Sequence, residues 1–156
     1  ALAHARAANS LSQGIADARD RALAQATAQW LEAEALMRVN KPAEARVLAE
    51  AGLATAVTAA FGTKLHADLL KARASILVVQ GSVQPALADF LASHEIFRRI
   101  GETRSQAVVL QNLGSLYLSA RDHERALRYY AQANETHKED AVLSLTAHNN
   151  RGSAYK

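Results

Sequence analysis

Residues 110–133, LQNLGSLYLSARDHERALRYYAQA, decide the fold of the chain. Apolar and small residues recur three, four or seven positions apart on either side of residues 119–122, which predicts two amphipathic helices joined by a tight turn. A glycine inside a helix costs about 1 kcal/mol relative to alanine, so Gly114 predicts that another backbone approaches closely there. Ala126 and Ala133 are expected to be small for the same reason. The two helices therefore form a close-packed hairpin.

The pattern of this hairpin recurs along the chain at intervals of about forty residues. The predicted first helices share a column of small residues at Ala33, Ala74, Gly114 and Gly152. Three positions later they share large residues at Leu36, Leu77, Tyr117 and Tyr155. The predicted second helices align in three columns, Ala45, Ala86 and Ala126, then Ala49, Phe90 and Tyr130, then Gly52, Ser93 and Ala133. Small and large residues at matched offsets predict that the hairpins stack.

The hairpin resembles a tetratricopeptide repeat, in which a first helix carries Leu-Gly and an aromatic residue and a second carries small, aromatic and small residues. The matching residues are Leu113, Gly114, Tyr117, Ala126, Tyr130 and Ala133. Leu110 and Lys138 depart from the pattern, which prefers Trp and Pro at these places. The spacing exceeds the repeat of about 34 residues by roughly one helical turn. Such lengthened repeats resemble those attached to bacterial signalling and transcription-activating proteins. The resemblance implies a scaffold rather than a reaction.

Composition agrees with an all-α chain. Of its 156 residues 49% are hydrophobic, many of them alanine, and only 5% are aromatic, which favours packed helices over a sheet. We expect a right-handed α-solenoid of stacked antiparallel helix hairpins with about seven to eight helices. The predicted helices cover 2–12, 17–39, 43–60, 65–80, 83–100, two within 101–140, and 141–155. One domain is expected, with repeats at 15–61, 62–100 and 101–140 and partial repeats at 1–14 and 141–156.

Turn residues give the expected ends of the helices. Gly14 is predicted to end the first helix in the left-handed conformation. Thr63 and Asp122 are predicted to cap the N-termini of the helices that follow them. Glu32, Arg73 and Arg151 occupy the column of Leu113, and their apolar stems are expected to cover the core while their charged ends stay in water.

Charge and composition narrow the function classes. The net charge is +3, but basic and acidic residues are interleaved, and the densest basic spot is Arg98, Arg99 and Arg104. This pattern favours a solvated surface over a nucleic-acid site.

The absence of cysteine excludes disulfides. The longest apolar run, 76–79, is far too short to span a membrane. No signal peptide is visible and the chain begins without Met, so we expect an excised fragment whose compartment, cytoplasm slightly favoured over periplasm, is undetermined.

In tetratricopeptide arrays the first helices line a concave groove, and fixed offsets from the small residue predict which side chains face it. The candidate partner-binding residues are Lys71, Ser75, Gln111, Asn112, Ser115, Asn149, Asn150 and Ser153. Amide side chains both donate and accept, so they can pair with the backbone of an extended peptide. Lys71 is expected to contact a carboxylate. The alternative is that these polar groups are merely solvated. Trp30, at the same face, is interpreted as a core anchor in preference to a ligand platform.

Motifs for catalysis are absent from the sequence. The six histidines include no pair four residues apart and no HExxH, so no metal site is expected. There is no GxSxG, no GxxxxGK[ST] and no GxGxxG, so neither an enzyme nor a cofactor is expected.

Two main functions follow from the resemblance. The first is a scaffold that binds a peptide or another protein through the concave face. The alternative is a sensor segment of a bacterial signalling protein whose output domain, a diguanylate cyclase, kinase or transcription activator, lies outside this chain. An RNA-binding helical repeat is a third and weaker interpretation. Exposed end repeats, including Leu145 and Tyr155, are expected to support contacts between chains and hence a homo-oligomer.

Overall fold

A computed structural model of the chain describes residues 2–136, which are helical throughout apart from short turns. This range contains seven helices and no strand, so the all-α prediction is confirmed there. The helices are α1 (Leu2–Ser12), α2 (Ala18–Arg38), α3 (Pro42–Ala59), α4 (Lys64–Val79), α5 (Val83–Ile100), α6 (Thr103–Ser119) and α7 (His123–Thr136). The first five agree with the predicted bounds to within one residue. The helix predicted at 141–155 lies outside the described residues.

Each hairpin turn contains one residue in the left-handed conformation. Asn40, Gly81 and Arg121 have φ values of 58°, 77° and 61° and recur at intervals of about forty residues. The next residue then donates its backbone N–H to a carbonyl five positions back, as Ser82 does to Leu77 at 2.8 Å. This bond closes the helix end while the chain reverses. The turn is thus a repeated element in its own right.

The predicted caps are partly correct. Asp122 Oδ1 accepts the backbone N–H of Arg125 at 3.0 Å, which confirms this cap. The Thr63 hydroxyl instead donates to the carbonyl of Ala60 at 2.7 Å, so its side chain does not cap α4. Gly14 is not among the residues with positive φ, and the predicted left-handed cap is wrong. The sequence segment after it bends before Asp17, whose carboxylate caps α2.

The chain divides into two compact units, Ala1–Asp89 and Phe90–Lys156, with α5 crossing the boundary. We call these the first unit and the second unit and describe each by itself. The repeat boundaries proposed from the sequence, and the assignment of one domain, stay predictions.

The core of the first unit is built from the small-residue columns. Ala33, Ala45 and Ala49 are fully buried and pack with Leu36 and Ile76. Ala74 is likewise inaccessible. A Cβ added to Gly52 on α3 would lie 2.7 Å from Cδ2 of Leu69 on α4. Small residues therefore allow the close helix contacts that the sequence predicts.

The core of the second unit is organised around Tyr130, which is 1% exposed. A Cβ on Gly114 would overlap the ring of this tyrosine, whose Cζ atom would be only 2.9 Å away. The nearest neighbour of Gly114 is therefore an aromatic side chain of the facing helix and not, as expected, a second backbone. Ala126 and Ala133 are buried as predicted. The glycine makes the space that the tyrosine fills.

Ion pairs replace an apolar residue in the column of Leu113. In the first unit, Glu32 Oε1 accepts from Arg6 Nε of α1 at 2.8 Å. Arg73 binds both carboxylate oxygens of Asp89 at 2.7 Å. Glu32 is 8% exposed and Asp89 is 7% exposed, so the charged ends lie at the edge of the core. Each charge has a partner in the neighbouring helix. The prediction that the charged end stays in water is wrong for Glu32, whereas the Arg73 side chain is 32% exposed, and Arg151 lies outside the described residues.

Candidate functional site

A pocket of about 420 Å³ in the first unit lies between α1, α2 and α4. We call it the tryptophan pocket. Its lining residues are His4, Ala5, Trp30, Leu31, Glu34, Arg38 and Lys71. Four of them, on α2 and α4, occupy positions that the sequence offsets predicted for the groove-facing side of the first helices. The offsets therefore bring side chains from two separate helices to one pocket.

Trp30 forms one wall of the tryptophan pocket and is only partly buried. The ammonium of Lys71 lies 6.0 Å from the centre of its ring, within the range of a cation–π contact. The indole nitrogen is inaccessible and finds no hydrogen-bond acceptor among the described residues. A core anchor normally satisfies this N–H. Trp30 is therefore a pocket wall and only in part a core residue.

Lys71 already has an ion-pair partner within the fold, which it shares with Lys64. Its Nζ lies 3.2 Å from Asp68 Oδ1, and the other carboxylate oxygen binds Lys64 Nζ at 2.7 Å. Asp68 is 3% exposed, so these two ammonium groups stabilise a buried charge. A carboxylate ligand of Lys71 would have to share the ammonium with Asp68.

Glu34 and Arg38 line the same pocket one helical turn apart on α2. Neither forms an ion pair with another described residue, although a Glu and an Arg at this spacing can pair. Glu34 is half-buried and Arg38 is exposed. The pocket thus offers an apolar floor together with one available charge of each sign.

The polar candidates on α4 and α6 have different environments. Ser75 donates to the carbonyl of Lys71 in its own helix at 3.1 Å. The Ser115 hydroxyl lies 3.1 Å from the hydroxyl of Tyr130 in α7. Gln111 is 9% exposed and already interacts with other groups. Asn112 is half-buried, and its side chain has no hydrogen-bond partner within residues 2–136. Of the four, Asn112 is the one whose side chain makes no hydrogen bond among residues 2–136.

The remaining candidates cannot be placed. Asn149, Asn150 and Ser153 lie outside the described residues, as do Leu145 and Tyr155, which were predicted to support contacts between chains.

His66 lies at the start of α4, buried at 6% exposure, and its Nδ1 accepts the backbone N–H of Gly62 at 3.1 Å. Burial lowers the pKa of His66 below its ordinary value, and the positive charge of Arg73 lowers it further. A protonated ring could not accept this hydrogen bond. The charge state of His66 is thus coupled to the turn before α4.

We expect the free energy of unfolding to fall as the pH drops below about 6.5, because the unfolded chain then takes up the proton of His66 before the folded chain does. The loss stops once the folded histidine is protonated too. Urea unfolding of wild type and His66→Asn at about pH 7.5, 6.5 and 5.5 measures this. The variant keeps an acceptor without a titrating ring, so its stability should vary less with pH. Equal pH dependence in both proteins would contradict the coupling.

The structure contains two sites that the sequence analysis did not find. The hydrogen bonds from Arg73 to Asp89 join residues sixteen positions apart and raise the pKa of the arginine. A second pocket, with two arginines, lies in the second unit. Asp89 aligns with Tyr129 of the following repeat. A comparison of these two positions would have indicated that a carboxylate in one repeat is replaced by an aromatic ring in the next.

Neither a metal site nor a membrane span is found in the described part of the chain. Within residues 2–136 no three histidine or acidic side chains cluster as metal ligands would. No helix of this range combines the length and apolar character that crossing a bilayer requires.

Comparison with known proteins gives a consistent result. A family model for the tetratricopeptide repeat matches residues 65–139. Among solved structures, the chain is similar to BtubC (BKLC) from P. vanneervenii, with a TM-score of 0.85 and 20% sequence identity. The likeness covers 97% of this chain and 62% of that one, and at this identity it shows a shared fold alone. No curated protein sequence matches. The predicted class, an all-α solenoid of helix hairpins, is confirmed.

Proposed function

We propose that the chain, whose residues 65–139 match the family model for the tetratricopeptide repeat, is a non-catalytic scaffold that binds a peptide or a segment of another protein. Repeats of this kind present long helix faces to a partner. The observation that carries the proposal is the tryptophan pocket, where predicted groove-facing positions of α2 and α4 converge on about 420 Å³.

The tryptophan pocket suits an apolar side chain of the partner. Trp30 and Leu31 supply apolar surface, and Leu31 is 43% exposed. Burial of such surface is worth about 25 cal/mol per Å². Glu34 and Arg38, which have no ion pair among the described residues, can bind polar groups that flank the inserted side chain. Lys71 holds the pocket wall, and its ammonium shares the Asp68 carboxylate with Lys64.

In the second unit, Asn112 is the proposed contact to the partner's backbone. Its amide can donate and accept at the same time, as a peptide backbone requires. Ser115 supports this face by its hydrogen bond to Tyr130, and Gln111 also interacts within the fold. In the first unit, Ser75 bonds to its own helix. Asn149, Asn150 and Ser153 stay proposed contacts by analogy of offset. The sensor role, as part of a larger signalling protein, stays a prediction, which the sequence flanking these residues would test. The homo-oligomer also stays a prediction.

We expect Leu31→Asp to weaken peptide binding at least tenfold, because it places a charge on the apolar wall of the tryptophan pocket. Peptides are selected on the wild-type chain from a displayed random library and their affinities measured by fluorescence anisotropy. Val57→Asp is the matched control, since Val57 is 50% exposed on α3 and does not line the tryptophan pocket. An Asn112→Ala variant tests the second unit. The proposal fails if no peptide is selected or if the control weakens binding equally.

A further inference from the structure

The second unit contains a pocket of about 320 Å³ between α5, α6 and α7, which we call the basic pocket. Its polar lining consists of His94, Arg125, Arg128, Tyr129 and Gln132. Leu91 and Leu110 complete the lining with apolar surface. Every charged group of this lining is a cation. Among the described residues no carboxylate lines the basic pocket.

A pocket at the corresponding repeat positions exists in the first unit, with a volume of about 280 Å³. There, Glu50 binds Arg46 and Asp89 binds Arg73, each pair at 2.7 Å. The two guanidinium charges are therefore matched by two carboxylates. This pocket is neutralised by its own residues.

Three positions line both pockets when the repeats are aligned, and all three differ, while the two arginines of the first-unit pocket, Arg46 and Arg73, align with Leu87 and Leu113. Glu50 corresponds to Leu91, Pro85 to Arg125 and Asp89 to Tyr129. Both carboxylates have been replaced by apolar or aromatic side chains, and a proline has been replaced by an arginine. The same place in successive repeats has thus changed from a closed ion-pair network to a cationic pocket.

The two arginines are held differently. Arg125 Nε binds Asp122 Oδ2 at 2.9 Å, and its guanidinium lies 5.2 Å from the centre of the Tyr117 ring. Tyr117 in turn stacks on Tyr129 with ring centres 5.4 Å apart and planes within 6°. Arg128 has only a loose contact of 3.8 Å with Glu124. One guanidinium is fixed by the fold, and the other can turn towards a ligand.

His94 adds a neutral donor. Burial lowers its pKa, so near neutral pH the ring carries one proton and no charge. The opposing influences of neighbouring Glu95 and Arg98 are smaller than that of burial. The pocket therefore supplies the charge of Arg128, the N–H groups of Arg125 that its pair with Asp122 leaves unused, and several neutral donors, among them the Gln132 amide.

We propose that the basic pocket binds a phosphate monoester carried on an aromatic or apolar body. Arg128 has only a loose carboxylate contact and can turn its guanidinium to a phosphate, Arg125 adds N–H donors beyond its pair with Asp122, and the number of donors exceeds what the two oxygens of a carboxylate accept. The volume exceeds that of a bare phosphate, and Tyr129 and Leu91 provide surface for a ring. The ligand is either a small organic phosphate or a phosphorylated side chain of a partner protein, which share this chemistry.

Isothermal titration calorimetry with phenyl phosphate tests the proposal, and a Kd on the order of 1 mM or lower is expected for a ligand of this size. Arg128→Gln should weaken binding about tenfold, because one charge-assisted hydrogen bond is lost. Leu91→Glu, which restores the carboxylate of the preceding repeat, should weaken it by at least as much. Both side chains are partly or largely exposed, so thermal melts should show an intact fold.

Arg46→Gln is the matched control, because it removes an arginine from the neutralised pocket of the first unit. It should leave binding unchanged. Equal weakening in this control, no binding to the wild type, or binding of inorganic phosphate as tight as that of phenyl phosphate would each overturn the proposal. A phosphotyrosyl peptide that binds more tightly than phenyl phosphate would support a protein as the source, and equal affinities would support a small organic phosphate.

Discussion

Truncation of Tyr130 to alanine is expected to destabilise the second unit by about 3–5 kcal/mol, the usual cost of removing a buried aromatic side chain. The ring is 1% exposed and fills the space above Gly114, and its hydroxyl lies 3.1 Å from that of Ser115. Both contacts are lost in the variant. Urea unfolding followed by circular dichroism measures the change as a shift of the midpoint.

Combination with Gly114→Ala makes this a test of the glycine–tyrosine contact. In the wild type the added Cβ would overlap the ring, and we expect a net cost of about 1–2 kcal/mol after the gain in helix propensity. In the Tyr130→Ala background the overlap is gone, and the same change should stabilise by up to about 1 kcal/mol. If Gly114→Ala destabilises the wild type but stabilises the Tyr130→Ala variant, the two residues are energetically coupled, as expected for side chains in contact.

Gly52→Ala is the matched comparison for this cycle. Its added Cβ would come closest to the end of the Leu69 side chain, at 2.7 Å, which can rotate away, and the Ala26 carbonyl oxygen at 3.4 Å is in ordinary contact. A smaller cost is therefore expected than at Gly114. If Gly114→Ala had the same effect with and without the Tyr130 ring, the contact would not explain the glycine.

The columns of small residues were predictable because they combine two local signals. A helical period marks the buried face, and recurrence near forty residues marks which positions face a neighbouring hairpin. Ala33, Ala74 and Ala126 are accordingly inaccessible. What fills the space beside a small residue is not encoded at that residue, so Gly114 could predict a close approach but not that the neighbour is a ring.

The sequence predicted which face of the first helices would carry the candidate site, but not the contacts that its side chains make. Offsets from the small residue fix the direction of a side chain around the helix, and they correctly group Trp30 and Lys71 at one pocket. They carry no information about competing hydrogen bonds. Ser75 bonds to its own helix and Ser115 reaches Tyr130, because a hydroxyl takes the nearest partner regardless of the helix face. The basic pocket depends on three helices and has no local sequence signal.

Breaking the Arg73–Asp89 pair is the second large effect that we expect, with Asp89→Ala costing about 2–3 kcal/mol. Removal of one partner leaves the other charge near the core without compensation, which costs about 3–5 kcal/mol when both are fully buried. The Arg73 side chain is 32% exposed and the Asp89 side chain 9%, so water reduces the penalty. Urea unfolding measures it. Glu95→Ala is the control, since its pair with Arg98 is largely exposed and little change is expected.

The following repeat suggests how the pair can be removed without this cost. Leu113 and Tyr129 occupy the positions of Arg73 and Asp89 in the next repeat. The double variant Arg73→Leu/Asp89→Tyr therefore introduces a pair of side chains that the chain already has at these positions. Replacement of both partners of an ion pair by apolar groups is often neutral or stabilising. We therefore expect the double variant to regain most of the stability lost in either single variant. A double variant as unstable as the sum of the singles would show that the ion pair holds the hairpin in a way that apolar packing cannot replace.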